Sequence, residues 1–172
     1  MGSEMCIRDR YVAARLLLFG LRKNLYGRIH EVPTLLEQIN RGVEKGIYDA
    51  DILTKYTESE IQTLDSVIDH QRDYLFTYAG LRQVVDKYLV QDRSSGQVYE
   101  TPQFMYLLIA MTIFAEYPAE NRLDYVTRYY NAISRHKINI PTPIMGGVRT
   151  PIRQFASCVL VDIDDTLDSI FS

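Results

Sequence analysis

Apolar side chains recur at helical spacing over most of this chain. From Tyr11 to Tyr26, the positions Val12, Leu16, Leu17, Phe19 and Leu25 alternate with Arg15, Arg22 and Lys23, and Gly27 closes the run. That spacing predicts an amphipathic helix. Pro33 can open a second helix, with Leu35, Leu36, Ile39 and Val43 on one face and Gly46 as its stop. Residues 48–56 read as a short helical turn. Thr57-Glu58-Ser59-Glu60 is a capping box, in which the threonine hydroxyl accepts the Glu60 backbone N–H and the Glu60 carboxylate reaches back. It opens a helix carrying Ile61, Leu64, Val67 and Ile68. Tyr88-Leu89-Val90 and Gln97-Val98-Tyr99 flank Arg93-Ser94-Ser95-Gly96, and β-formers around a glycine turn predict a hairpin. Pro102 starts a helix running to about Ala115, apolar nearly all the way round and therefore expected to be buried. Pro118 starts another, with Leu123, Tyr125, Val126, Tyr129, Tyr130 and Ile133 as its apolar stripe. Tyrosines at this spacing read as packing rather than as a radical path.

After Lys137 the pattern changes. Ile138-Asn139-Ile140-Pro141-Thr142-Pro143 holds two prolines and is excluded from a helix interior, and Gly146, Gly147 and Pro151 extend the loop. Residues 155–163 then form a strand candidate, with Val159, Leu160, Val161 and Ile163 nearly continuous, as in a strand covered on both faces. The chain reads as mainly α: a helical domain over 11–140 with a small hairpin near 88–100, then the start of an α/β domain over 141–172. Residues 1–10, MGSEMCIRDR, fit no periodic element and read as an adaptor-derived or disordered segment.

Composition narrows the function. Of 172 residues, 47% are hydrophobic and 24% charged, enough apolar material for a core. Net charge is −3, from 19 basic and 22 acidic residues, which gives no electrostatic case for nucleic acid. The longest apolar run, near 104–115, falls short of the ~20 residues that cross a bilayer, and no secretion signal opens the chain. Cys6 and Cys158 make no disulfide framework, so a reducing, cytoplasmic setting is expected. Taken alone, each cysteine reads as a small buried hydrophobe.

Candidate chemistry is sparse. His30, His70 and His136 show no metal-ligand spacing, and no metal site is expected. Gly146-Gly147 could bring backbone N–H groups to a phosphate, though a glycine pair usually marks only a turn. Asp69-His70-Gln71-Arg72-Asp73 reads as a solvated corner between helices rather than an acid–base centre. Asp162, Asp164, Asp165 and Asp168 crowd the end of the last strand, where α/β folds often bind ligands. A capped, solvated turn accounts for them equally well.

Longer motifs say more. PTPIMGGVRTPIRQFASCVLVDIDDTLDSI, residues 141–170, closely resembles a signature region of the ribonucleotide reductase large subunit. YVAARLLLFGLRKNLYG, YTESEIQTLDSVIDHQRD, YLVQDRSSGQVYETPQFMYLLIAM and YPAENRLDYVTRYYNAIS resemble the same class I subunit in the same order, from Tyr11 to the C-terminus. The resemblance implies that residues 11–140 are the family's helical N-terminal domain and that the strand holding Cys158 is the first of its ten-stranded α/β barrel, truncated here. It implies reduction of ribonucleoside diphosphates to deoxyribonucleotides. Cys158 aligns with a redox-active thiol, Thr142 and Ser157 with residues that hold the substrate, and Asp165, Thr166 and Leu167 with the segment that binds the deoxynucleotide or ATP specificity effector. Lys23 aligns with a lysine that contacts ATP or dATP at the activity site.

No cofactor is implied in this chain itself. The family draws a radical from a metal-containing small (beta) subunit, works with a second alpha subunit and is re-reduced by thioredoxin or glutaredoxin. The ATP-cone that precedes Tyr11 in the family, and the radical cysteine, the partner of Cys158 and the tyrosine relay that follow Ser172, are missing, so the fragment is expected to be inactive alone. The competing reading is a non-catalytic helical interaction module derived from such a subunit.

Overall fold

In the computed structural model, residues 2–92, 94–152, 155, 156 and 158 are described, with side chains from Asp9 onward. Helix α1 spans Gly2–Tyr26 and ends at Gly27, whose φ of 71° suits a residue without a Cβ. It begins well before the Tyr11 start that periodicity indicated, so residues 2–10 are helical. Its buried face also differs. Ala14, Leu18, Leu21 and Arg22 point inward, whereas Val12 and Leu16 are exposed by 53% and 65%. Hydropathy alone places an arginine outside. Here the Arg22 charge is paired in the interior, and that rotates the helix away from the reading that counted only apolar residues.

Helix α2, Leu35–Glu44, starts after Pro33 rather than on it. Thr34 is the N-cap and forms a capping box with Glu37: the Thr34 hydroxyl accepts from the Glu37 N–H at 3.3 Å and the Thr34 N–H donates to the Glu37 carboxylate at 2.9 Å. The short α3, Asp51–Lys55, leads to α4, Glu58–Asp65, opened by the expected box of Thr57 and Glu60. Val67 and Ile68 lie just past the end of α4 and pack on the core as partly buried residues.

Two elements had no counterpart in the sequence reading. A 3-10 turn covers His70–Leu75, and α5 covers Tyr78–Lys87 behind its N-cap Thr77. The hairpin follows, with β1, Gln91–Asp92, antiparallel to β2, Gln97–Val98, in the register Gln91 to Val98 and Asp92 to Gln97.

Helix α6, Pro102–Ile113, is the centre of the domain. Every residue from Pro102 to Met111 is buried, as its uniform hydropathy required. Around it pack the 3-10 turn, α7 (Ala119–Ser134) and α8 (Thr142–Gly147). Val126, Tyr130 and Ile133 carry the buried stripe of α7, while Tyr125 stays 39% exposed. Helix α8 corrects the loop expected after Lys137. Pro143 sits in the first turn, where a missing N–H costs nothing, so the two prolines frame a short helix instead of preventing one. The strand candidate at 155–163 falls mostly outside the described residues; Phe155, Ala156 and Cys158 are in no regular element. Among the described residues no helix is long and apolar enough to cross a membrane.

One close approach is testable. The Tyr48 ring lies against Gly42 so tightly that a Cβ on Gly42 would stand 2.0 Å from Tyr48 Cδ2. The ring has nowhere to go, because Tyr48 is buried and its hydroxyl is bonded on both sides. Gly42→Ala should therefore cost about 1–3 kcal/mol as an overpacked substitution. Urea denaturation would read this as a lower midpoint at unchanged slope; an unchanged midpoint would show that the ring moves freely.

Candidate functional site

A cavity of ≈ 640 Å³ opens where α8 meets the stem of the hairpin. Its walls come from four places: Lys45–Ile47 after α2, the segment from Lys87 to Asp92, Tyr99, and α8 with Thr150–Ile152 behind it. Thr142, predicted to hold substrate, stands exposed at the start of α8 and lines this cavity. Tyr88 lines it too. The nearby Thr142 side chain, ahead of a smaller contribution from Gln83, lowers the pKa of its hydroxyl below the usual tyrosine value. Lys45 and Lys87 supply positive charge at the rim, and the Lys45 ammonium sits 5.2 Å from the centre of the Tyr99 ring.

What holds α8 in place is a fully buried ion pair. Glu100, just before α6, and Arg149, just after α8, both have side chains with no exposure. Arg149 Nε donates to both Glu100 carboxylate oxygens at 3.1 and 3.0 Å, and its Nη2 donates to Glu100 and, at 2.8 Å, to the Tyr88 carbonyl. Its Nη1 donates to the Met145 carbonyl within α8. Glu100 also accepts from the Tyr48 hydroxyl at 2.8 Å and from the Val90 N–H at 2.8 Å. Gln38 completes the network, donating to the Tyr48 hydroxyl at 2.9 Å and the Tyr99 carbonyl at 3.0 Å. Burial pushes the Tyr48 hydroxyl well above its ordinary pKa, so it stays a donor to Glu100. One guanidinium thus ties α8 to Tyr88 at the end of α5 and to the root of the central helix.

A second buried network lies under α1. Arg22 Nη2 donates to Asp73 at 3.0 Å and to the His70 carbonyl at 3.0 Å. Gln103 donates to the other Asp73 oxygen at 2.9 Å, accepts from the Tyr130 hydroxyl at 2.8 Å, and Tyr130 in turn accepts from the Asp69 N–H at 3.0 Å. Burial raises the Asp73 pKa to about 6 and lowers that of His70 to about 4, with the Arg22 charge adding to the second effect. The solvated corner expected at residues 69–73 is therefore corrected. Asp69 and Gln71 face solvent, but Asp73 is a core residue whose charge is met by Arg22 from a helix 51 residues away in sequence.

The other predicted site residues scatter. Lys23 is exposed in the last turn of α1, beside the buried Arg22. Cys158 is exposed and outside regular structure, and it is not part of the cavity wall. Ser157, Asp165, Thr166 and Leu167 lie outside the described residues. Gly146 and Gly147 line the cavity from within α8; a Cβ on Gly146 would meet nothing within 4 Å, so no close backbone approach explains that glycine. Sequence reasoning missed Tyr88, Lys45, Lys87, Glu100 and Arg149. Tyr88 had been read only as a β-former, and nothing local marks Glu100 and Arg149 as partners.

Comparison with known families returns an all-α domain as well. Residues 74–153 match the family model described as "Ribonucleotide reductase, all-alpha domain". The chain is 52% identical, over 98% of its length, to ribonucleoside-diphosphate reductase 1 subunit alpha of Escherichia coli (strain K12), of which it spans 23%. It is 52% identical over 94% of its length to the alpha subunit of Haemophilus influenzae, and 48% identical over 94% to that of Enterobacteria phage T4, spanning 21% of each. The chain belongs to the ribonucleotide reductase large-subunit family. It spans less than a quarter of the length of these relatives.

Proposed function

We propose that this chain is part of an enzyme that reduces ribonucleoside diphosphates to deoxyribonucleoside diphosphates for DNA synthesis. The observation that supports this most is a likeness of 52% identity carried through 98% of the chain to a ribonucleoside-diphosphate reductase alpha subunit. In this reading Thr142 and Ser157 hold the substrate. Cys158 and a second cysteine from the rest of the subunit supply the reducing equivalents: two thiols become one disulfide, two electrons and two protons pass to the substrate, and the 2′-hydroxyl leaves as water. Thioredoxin or glutaredoxin then returns the disulfide to thiols. The radical comes from a metal-containing beta subunit. Asp165, Thr166 and Leu167 bind the deoxynucleoside triphosphate or ATP that sets specificity, across an interface with a second alpha subunit. Lys23, free to meet solvent on α1, contacts ATP or dATP at the activity site, where a cation suits a triphosphate. The setting is cytoplasmic.

The cavity beside α8 supports the substrate assignment of Thr142, because a threonine hydroxyl there faces an open space rimmed by two lysines. The test is turnover by the full-length subunit with its small subunit and a dithiol reductant. Formation of deoxycytidine diphosphate from cytidine diphosphate is expected; no product from any common ribonucleoside diphosphate, with each effector tried, overturns the reading. Thr142→Val keeps the shape and removes the hydroxyl. It should raise KM about tenfold, the equivalent of ~1.4 kcal/mol of lost hydrogen bonding.

A further inference from the structure

We propose that Arg149 is a positioning residue of the substrate site: its guanidinium fixes the gap between two walls of the cavity, and with it the place where the Thr142 hydroxyl meets the substrate. This rests on the reading of Thr142 as a substrate-binding residue. Arg149 is not among the residues that line the cavity, and its side chain has no exposed surface. It can therefore act only through the groups it holds.

Helix α8 needs such a hold. It has six residues, none of them buried, and no side-chain bond at its N-cap Pro141. So short a helix is not stable on propensity alone, because closing its first turn fixes several residues for one hydrogen bond. Its place must come from neighbours. Ile144 and Met145 rest on the core as partly buried side chains, but apolar contact is non-directional and sets no spacing. Arg149 sets one. Its Nη1 donates at 2.5 Å to the Met145 carbonyl, in the part of the helix where carbonyls run out of intrahelical partners. Its Nη2 donates at 2.8 Å to the carbonyl of Tyr88, on the wall that runs from Lys87 to Asp92. Its Nε donates to both Glu100 oxygens, which stops the group from turning. The Arg149 carbonyl accepts from the Asp49 N–H at 3.0 Å and so anchors the backbone too. A planar guanidinium with both terminal nitrogens committed keeps the two carbonyls at one separation. Thr142 opens α8 about one turn before Met145, so a shift of the helix moves its hydroxyl. A lysine would keep the charge and lose the hold: one ammonium can pair with Glu100, but it cannot span both carbonyls in a fixed plane.

The experiment is a double-mutant cycle in the full-length subunit with its small subunit, using Arg149→Lys, Thr142→Val and the pair, with cytidine diphosphate as substrate. Arg122→Lys is the matched control. Arg122 pairs with Glu60 at 2.5 Å and donates to the Ala115 carbonyl at 3.2 Å, away from the cavity. Arg149→Lys is expected to raise KM about fivefold with kcat within a factor of two, and to add nothing once Thr142 is valine. Arg122→Lys is expected to leave KM unchanged even where it lowers the melting temperature as much. A KM unchanged by Arg149→Lys, while Thr142→Val raises it, overturns the role of Arg149 and leaves the site reading intact. An equal rise in both backgrounds overturns it as well, since Arg149 would then act independently of Thr142. An equal rise in Arg122→Lys would make the effect one of general stability, against the proposal. If Arg149→Lys does not fold, Glu100→Asp takes its place in the cycle, keeping both charges while drawing the carboxylate back from Nε, and the same rise in KM is expected. Failure of both variants to fold would make the pair structural only and overturn the proposal. If Thr142→Val leaves KM unchanged, the site reading itself fails and the inference with it.

Discussion

Replacing Glu100 with alanine should destabilise the 172-residue chain by about 3–5 kcal/mol, the range for removing one partner of a buried ion pair. The reason is what remains. Arg149 has no exposed side-chain surface, so losing its counter-ion leaves a guanidinium in the interior with only two carbonyls to solvate it. The Tyr48 hydroxyl and the Val90 N–H lose their acceptor in the same step, and each buried donor left unpaired adds its own penalty. Glu100→Gln should cost less, because an amide oxygen still accepts from Tyr48 or Val90. The decisive comparison is the pair Glu100→Ala with Arg149→Met. If the cost comes from the orphaned charge, the double variant must recover part of the stability lost by the single one. Urea denaturation of the four proteins would show this as a midpoint that falls for Glu100→Ala and rises again for the pair. A double variant less stable than either single one would mean that Glu100 and Arg149 contribute separately, and the tie between α8 and the root of α6 would lose its physical basis.

This ion pair also explains how far the sequence could be read. Features whose cause is local were legible. The Thr57 and Glu60 box, the all-round apolar helix opening at Pro102, and the hairpin around Gly96 each depend on residues within one turn or one pair of strands. Where two local signals competed, the reading slipped by a step. Pro33 was favoured over Thr34 as the start of α2, although the Thr34 and Glu37 pairing satisfies two N–H groups that a proline leaves to chance. The two prolines around Thr142 suggested a loop because their restriction on a helix interior outweighed their tolerance in a first turn.

Features whose cause is distant were not legible. Arg22 and Asp73 are 51 residues apart, and Glu100 and Arg149 are 49 apart. A periodicity argument treats each of these four as an outward-facing charge. It consequently set the phase of α1 by Val12 and Leu16, which are exposed, and read Asp73 as solvated. The candidate site divides along the same line. Thr142 was found through motif resemblance, whereas Tyr88, Lys45 and Lys87 come to it only because the hairpin stem and the turn after α2 fold over α8.

Cys158→Ser should abolish turnover with a dithiol reductant while leaving substrate and effector affinity within about twofold of the parent. The argument is one of electron count. Removing the 2′-hydroxyl as water requires two electrons, and a disulfide forms only from two thiols. A serine at this position can neither join a disulfide nor be returned to a reduced state by thioredoxin or glutaredoxin. The substitution changes one atom, and Cys158 is exposed outside regular structure, so no packing defect is expected to accompany the loss. That contrast separates chemistry from folding. The measurement is the rate of deoxycytidine diphosphate formation by the full-length subunit, alongside nucleotide binding and the melting temperature of the same preparation. Loss of turnover with intact binding and melting assigns Cys158 to the redox step. Turnover above a tenth of the parent rate would show that the electrons reach the substrate by another route, and loss of nucleotide binding would make the thiol a packing residue instead. Thr142→Val should give the complementary pattern, a raised KM with turnover at saturating substrate retained. Two residues, one opening α8 and one in the segment that follows it, would then divide between them the holding of the substrate and its reduction.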